Sequence, residues 1–157
     1  MSKKRLSQTK KNIVFLGHMG SGKSTIGRGL SKKLGLDFYD TDKEIEKEMG
    51  QKIAKIFDES GESIFRNIER KITLKLLDKK NSIIALGGGG FEDLKIRKLI
   101  LNKCNSIWLK CDLNILEKRC RVSKKRPLLY NKNIKTEFER LNKTRQKNYS
   151  KAKFTID

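Results

Sequence analysis

Residues 12–25 read NIVFLGHMGSGKST, and within them Gly17-x-x-x-x-Gly22-Lys23-Ser24 has the composition of a loop built to hold phosphate. Gly17, Gly20 and Gly22 let the backbone curl until several N–H groups point at one anion. The positive end of the helix that follows faces the same point. Lys23 can reach β- and γ-phosphates, and the Ser24 hydroxyl can ligate Mg²⁺. A dinucleotide fingerprint does not fit, because Gly20-Ser21-Gly22 is followed by Lys23, Ser24 and Thr25 where a third glycine is required. A glycine-rich turn could match by chance, but an apolar strand before it and a helical pattern after it weigh against chance. The loop points to a nucleoside triphosphate.

Other residues suggest what the phosphate is used for. Asp40 and Asp42 flank Thr41 at the end of a second predicted strand. In strand geometry alternate side chains share a face, so both carboxylates could reach one crevice, one near Mg²⁺ and one near an acceptor hydroxyl. Asp42 could equally be the N-cap of a helix over Lys43–Met49. Arg66 and Glu69, at i and i+3 in Phe65–Glu69 (FRNIE), can pair and hold the guanidinium in one rotamer, as many surface pairs do. Gly87–Gly90 directly follow a strand and can expose backbone N–H groups to a ligand. Arg126 opens RPLL at the end of a basic run, and Arg145 shares a helix face with Tyr149; either arginine could be a solvated charge. His18, the only histidine, lies in the phosphate loop, where a side chain normally points away from the phosphates.

Apolar runs alternate with amphipathic ones, and this alternation must position those residues. Strands are predicted at Asn12–Leu16, Asp37–Asp40, Ser82–Leu86, Ser106–Lys110 and Lys153–Ile156. Between them lie helical patterns at Thr25–Leu34, Lys43–Met49, Ile53–Glu59, Ser63–Lys79, Glu92–Leu101, Asp112–Arg119 and Lys135–Tyr149. Such alternation implies an α/β fold with a parallel sheet covered by helices on both faces. Reactive groups should gather at the carboxyl ends of the strands.

The chain has 157 residues, room for one α/β domain at 12–157 behind a basic tail at 1–11 without apolar periodicity. Lys+Arg number 38 against 18 Asp+Glu, a formal net charge of +20 that favours anionic partners. Most of the excess is lysine dispersed along polar helix faces, which reads as solvation rather than a nucleic-acid patch. No specific nucleic-acid partner is expected. Three cysteines without CxxC spacing fit a reducing cytoplasm. No apolar run approaches a membrane span.

Taken together, GHMGSGKST, Asp40-Thr41-Asp42, FRNIE, the glycine run, RPLL and the Arg145–Tyr149 pattern closely resemble the shikimate kinases from Ile13 to Asp157. The resemblance implies a three-layer P-loop kinase fold with a five-stranded parallel sheet in the order 2-3-1-4-5. It implies a substrate-binding segment at about 41–69 and a lid at about 121–132. Its activity would be ATP-dependent phosphorylation of the shikimate 3-hydroxyl, by a cytoplasmic monomer with one Mg²⁺ per subunit. The resemblance also carries roles. Gly20, Ser21, Gly22, Lys23, Ser24 and Thr25 would bind the phosphates, Ser24 with Asp40 would hold Mg²⁺, and Arg119 would pack on adenine. Lys23, Asp42 and Arg126 would be catalytic, with Arg126 also touching nucleotide. Asp42, Phe57, Phe65, Arg66, Gly88, Gly89 and Arg145 would bind shikimate. Family members usually continue past the fifth strand into a segment that packs on adenine, so this sequence leads us to expect a base held less firmly. A gluconate-type kinase would share the loop without needing both FRNIE and the Arg145–Tyr149 pattern. A basic nucleic-acid-binding module is the non-enzymatic reading, and no stacking platform supports it.

Overall fold

A computed structural model describes residues 11–122 and 133–157. Its strands are β1 (Ile13–Leu16), β2 (Asp37–Asp40), β3 (Ser82–Ala85), β4 (Asn105–Leu109) and β5 (Phe154–Ile156). They form one sheet in the order β2-β3-β1-β4-β5, with every pairing parallel. A parallel neighbour requires the chain to cross back over the sheet, and helices do this here. They are α1 (Lys23–Leu34), α2 (Thr41–Met49), α3 (Ile53–Leu77), α4 (Leu94–Lys103), α5 (Leu113–Arg121) and α6 (Ile134–Tyr149). The expected class and strand order are both present.

The central strands read as unbroken apolar runs because both their faces are covered. On one face Val14, Leu16, Ile84 and Trp108 pack with Ile72 and Leu76 of α3 and with Ile96 and Ile100 of α4. On the other, Phe15, Ile83 and Leu109 pack with Leu30 of α1. Full burial of each such side chain stabilises the fold by about 1.5–3 kcal/mol. This frame fixes the carboxyl ends of β1, β2 and β3 side by side.

Three local features differ from the sequence expectation. Helix α2 starts at Thr41, not Lys43, because the Asp40 carboxylate accepts from the N–H groups of Asp42 and Lys43. Asp40 is therefore the cap, and Asp42 belongs to the first helical turn rather than capping it or alternating along a strand. The arms Ile53–Glu59 and Ser63–Lys79 join in α3, broken at Gly61 with φ 80° and ψ 171°. A short 3₁₀ turn, Gly90–Glu92, precedes α4, whose first turn is capped by Asp93. Residues 1–10 and 123–132, including Arg126 and nearly all of the expected lid, lie outside the described residues. Among the described residues no helix is long and apolar enough to cross a membrane.

Candidate active site

The phosphate loop leaves β1 and enters α1 through three glycines in the left-handed region, Gly17 (φ 142°), Gly20 (φ 81°) and Gly22 (φ 96°). A side chain at these angles would be strained, so glycine is what permits the curl. Neighbours fill the space outside it: a methyl group at Gly17 would lie 2.7 Å from the Leu109 carbonyl oxygen, and one at Gly20 would lie 3.2 Å from Cys120 Sγ. Within the loop, Lys23 Nζ donates to the carbonyls of Gly17 and His18 at 2.7 and 2.8 Å. Arg119 of α5 donates to the Gly20 carbonyl at 2.8 Å, which puts its guanidinium against the loop. Ser21 is buried, Gly22 is half-buried and Thr25 is exposed at the head of α1.

The Ser24 hydroxyl donates to Asp40 Oδ2. A hydroxyl and a carboxylate oxygen thus meet where β- and γ-phosphates would lie. Both are hard donors of the kind Mg²⁺ prefers, and Mg²⁺ commonly takes only one or two protein ligands beside substrate phosphates. Among the described residues no group of three or more His, Cys, Asp or Glu could hold a metal by itself.

A second constellation faces the loop from the ends of β2 and β3. Thr41 is fully buried and its hydroxyl accepts from the Gly87 N–H at 2.8 Å, tying α2 to the glycine run. A methyl group at Gly87 would lie 2.8 Å from Asp42 Oδ1 and 3.1 Å from Glu69 Oε2. One at Gly88 would lie 3.1 Å from Arg145 Nη1, and one at Gly89 would lie 2.5 Å from Arg66 Nη1. Missing side chains therefore let two guanidinium groups and two carboxylates approach one stretch of backbone. The sequence places Gly87 in the run and Thr41 between the acids but gives neither a role of its own. The signal for Thr41 was its place between two acids, where only a buried residue would make the Asp-Thr-Asp order necessary.

The two arginines are held differently. Arg66 Nη1 donates to Glu69 Oε1 at 2.8 Å and Nη2 to Glu62 Oε1 at 3.2 Å. Burial works against its charge, but Glu69 and Glu62 outweigh burial and leave its pKa above the ordinary guanidinium value. Burial pushes the Glu69 carboxyl up, against the pull of Arg66 and Arg145. Arg145 is only 4% exposed, and among the described residues its buried Nη1 has no hydrogen-bond partner. Tyr149, one turn further along α6, donates to the Gly88 carbonyl. Burial pushes its phenol up to about 12, so it remains a donor at any ordinary pH. Phe57 and Phe65 pack across the Gly61 break with centroids 4.6 Å apart and ring planes tilted by 39°, giving an apolar wall. A cleft of about 390 Å³ opens beside the two arginines between α3, α4 and α6, lined by Arg66, Glu69, Gly89, Asp93, Thr144 and Arg145 and not by Phe57, Phe65 or Asp42. That is the scale of a small-molecule site.

Taken as chemistry, the arrangement offers a phosphate cradle, an oxygen pair for a divalent cation and a carboxylate facing the cradle. Beyond them lie two guanidinium groups, one with an unused buried donor suited to a carboxylate. A family model described as Shikimate kinase matches residues 19–157. The chain is 43% identical over 151 residues to the shikimate kinase of Bartonella quintana, covering 96% of this chain and 72% of that protein. In structure it is similar to a shikimate kinase from Acinetobacter baumannii solved in complex with shikimate. That match has TM-score 0.92 and 34% identity, over 95% of this chain and 84% of the other. A gluconokinase from Sinorhizobium meliloti, at 15% identity and TM-score 0.55 over 87% and 75% of the two chains, shares the fold alone.

Proposed function

The chain belongs to the shikimate kinase family, and from that premise we propose how its residues transfer the γ-phosphoryl group of ATP to the 3-hydroxyl of shikimate. The observation that carries the substrate reading is the unpartnered, buried Arg145 Nη1 beside Gly88, with Arg66 beside Gly89. A substrate carboxylate supplies the acceptor that Arg145 lacks and takes the second guanidinium through Arg66. With its carboxylate there, the ring lies along Phe57 and Phe65, and its hydroxyls face Asp42.

Loop amides from Gly20 to Thr25 hold the phosphates, and Lys23 leaves its carbonyl partners to follow charge onto the transferred group. Ser24 and Asp40 would hold Mg²⁺, one per subunit, which would supply charge neutralisation to the nucleotide phosphates. Asp42 orients the attacking hydroxyl and accepts its proton as the bond to phosphorus forms. Gly88 and Gly89 N–H groups donate to the substrate. Arg119 packs on adenine, and Arg126, outside the described residues, has the stabilisation of the reacting phosphate as the role that the family resemblance gives it. Little covalent work falls to the protein in such a transfer, so positioning and charge supply the acceleration. The enzyme acts as a cytoplasmic monomer in aromatic amino-acid biosynthesis, without a specific nucleic-acid partner.

A coupled ADP-release assay with ATP, Mg²⁺ and a panel of cyclic and sugar acids tests this. Turnover with shikimate but not gluconate is the expected outcome. Turnover of gluconate with shikimate untouched would overturn it.

A further inference from the structure

One buried side chain joins the phosphate loop to α6 and has no part in the roles above. His18 is 4% exposed. Its ring meets Tyr149 edge-on at 5.2 Å and Phe138 at 6.1 Å, and Nε2 lies 3.2 Å from Asn142 Oδ1. Asn142 Nδ2 donates to Gln146 Oε1 at 3.2 Å, which turns the amide oxygen towards the histidine. An amide oxygen only accepts, so the proton sits on Nε2 and the ring is the Nε2–H tautomer. Burial pushes the imidazole down to about 4, opposed by the Asn142 bond and reinforced by Arg145 and Lys23, so the ring is neutral at physiological pH.

The peptide of the same residue faces the nucleotide side. With Gly17 it holds the Lys23 ammonium through its carbonyl. When Lys23 turns to phosphate oxygens, that carbonyl gives up its charged donor and keeps the Ser21 N–H at 3.2 Å. The ring faces the acceptor side. Asn142 lies one helical turn before Arg145, and Tyr149 lies one turn after it and holds the carbonyl of Gly88, the residue against which Arg145 Nη1 rests. His18 thus touches Lys23 through its main chain and the Arg145 helix through its side chain. A space-filling role would need no nitrogen at this position, and an aromatic ring would serve it as well.

We propose that His18 is a positioning residue which, through its Nε2–Asn142 hydrogen bond, couples nucleotide at Lys23 to the carboxylate clamp at Arg145. This rests on the substrate reading above. By linkage such coupling is reciprocal: nucleotide tightens shikimate and shikimate tightens nucleotide by the same factor.

Trp108, the only tryptophan, packs 5.8 Å from Tyr149 and gives an intrinsic fluorescence signal for shikimate titrations. Titrations are run with and without a non-hydrolysable ATP analogue and Mg²⁺, beside steady-state kinetics in both substrates. The wild type should bind shikimate about fivefold or more tighter with the analogue present. His18→Phe keeps the ring contacts and loses the nitrogen, and Asn142→Leu removes the acceptor. Each should bring the ratio below about twofold and raise the shikimate and ATP KM values, each measured with the other substrate saturating, by a similar factor of about fivefold, the worth of one half-buried hydrogen bond. Asn142→Asp, which keeps the acceptor, should retain the wild-type ratio. If His18→Phe does not fold, Asn142→Leu at its half-buried position decides alone. A wild-type ratio in both deletions, no coupling in the wild type, or a rise in only one of the two KM values would overturn the proposal. A wild type that leaves shikimate unphosphorylated would overturn the substrate reading instead, before any variant is made.

Discussion

The two halves of the site are built on different terms. The phosphate half comes from one continuous stretch, Gly17–Thr25, completed by Asp40. Its cation, Lys23, is already satisfied by two loop carbonyls. The carboxylate half draws Arg66 and Glu69 from α3, Gly87–Gly89 from the end of β3 and Arg145 from α6. Its inner cation has a buried donor with no partner among the described residues. A buried unsatisfied polar group costs about 1–3 kcal/mol, more when charged. The clamp is therefore held ready at the expense of stability, whereas the loop cation rests on two carbonyls and exchanges partners. Backbone makes the first half; packing of distant elements makes the second.

If Lys23 and Asp42 act on the reacting group, they define the largest effects. Lys23→Ala and Asp42→Asn should each lower kcat by about a hundredfold or more, and Asp42→Asn should still bind ATP. Near-normal turnover of Asp42→Asn would make that carboxylate merely part of the first turn of α2. The clamp should respond in a different constant. Arg66→Lys and Arg145→Lys keep the charge but lose the planar fork, and each should raise the shikimate KM about ten- to hundredfold, with the ATP KM nearly unchanged. Equal changes in both KM values would erase the distinction between the halves.

The buried seam between them has a signature in pH. The His18 imidazole is held near 4 by burial, with Arg145 and Lys23 adding to the effect, against an ordinary value of 6.5 in the unfolded chain. Between those values the unfolded state binds the proton and the folded state refuses it. Stability from this group is thus complete above pH 6.5 and is lost as pH falls towards 4. From pH 7.5 to 5 the loss is about 2 kcal/mol. Urea midpoints at the two pH values should fall further for the wild type than for His18→Phe; parallel falls would mean the ring is not shielded. A smaller effect is expected from Gly89→Ala, whose methyl would lie 2.5 Å from Arg66 Nη1. The flexible guanidinium can shift, so the shikimate KM should rise about tenfold, roughly one charged hydrogen bond, with kcat for saturating substrate less affected.

How much of this was legible followed the same division. Strand order came with the family resemblance and the alternation of apolar runs, and the phosphate loop was readable because its geometry depends on glycines adjacent in sequence. Asp40 and Asp42 were seen, but their relation was not. Either acid can cap a helix, and only the position of Thr41, whose hydroxyl takes the Gly87 N–H, decides for Asp40. Arg66 and Arg145 were chemically ambiguous because nothing local distinguishes a solvated arginine from one packed against a glycine some 20 or 60 residues away in the chain. Asn142 went unnoticed because an asparagine on a helix is unremarkable until a buried imidazole faces it. The expected roles of Arg126 and the lid fall on residues outside those described.

The central claim is that two guanidinium groups read a carboxylate while the loop reads phosphate. It is tested most directly by comparing kcat/KM for shikimate and for its methyl ester, in the wild type and in Arg145→Ala. The account predicts that the wild type discriminates against the ester by about a hundredfold, the worth of a desolvated, charge-assisted pair, and that Arg145→Ala loses most of that discrimination. A wild type that phosphorylates acid and ester alike would contradict it.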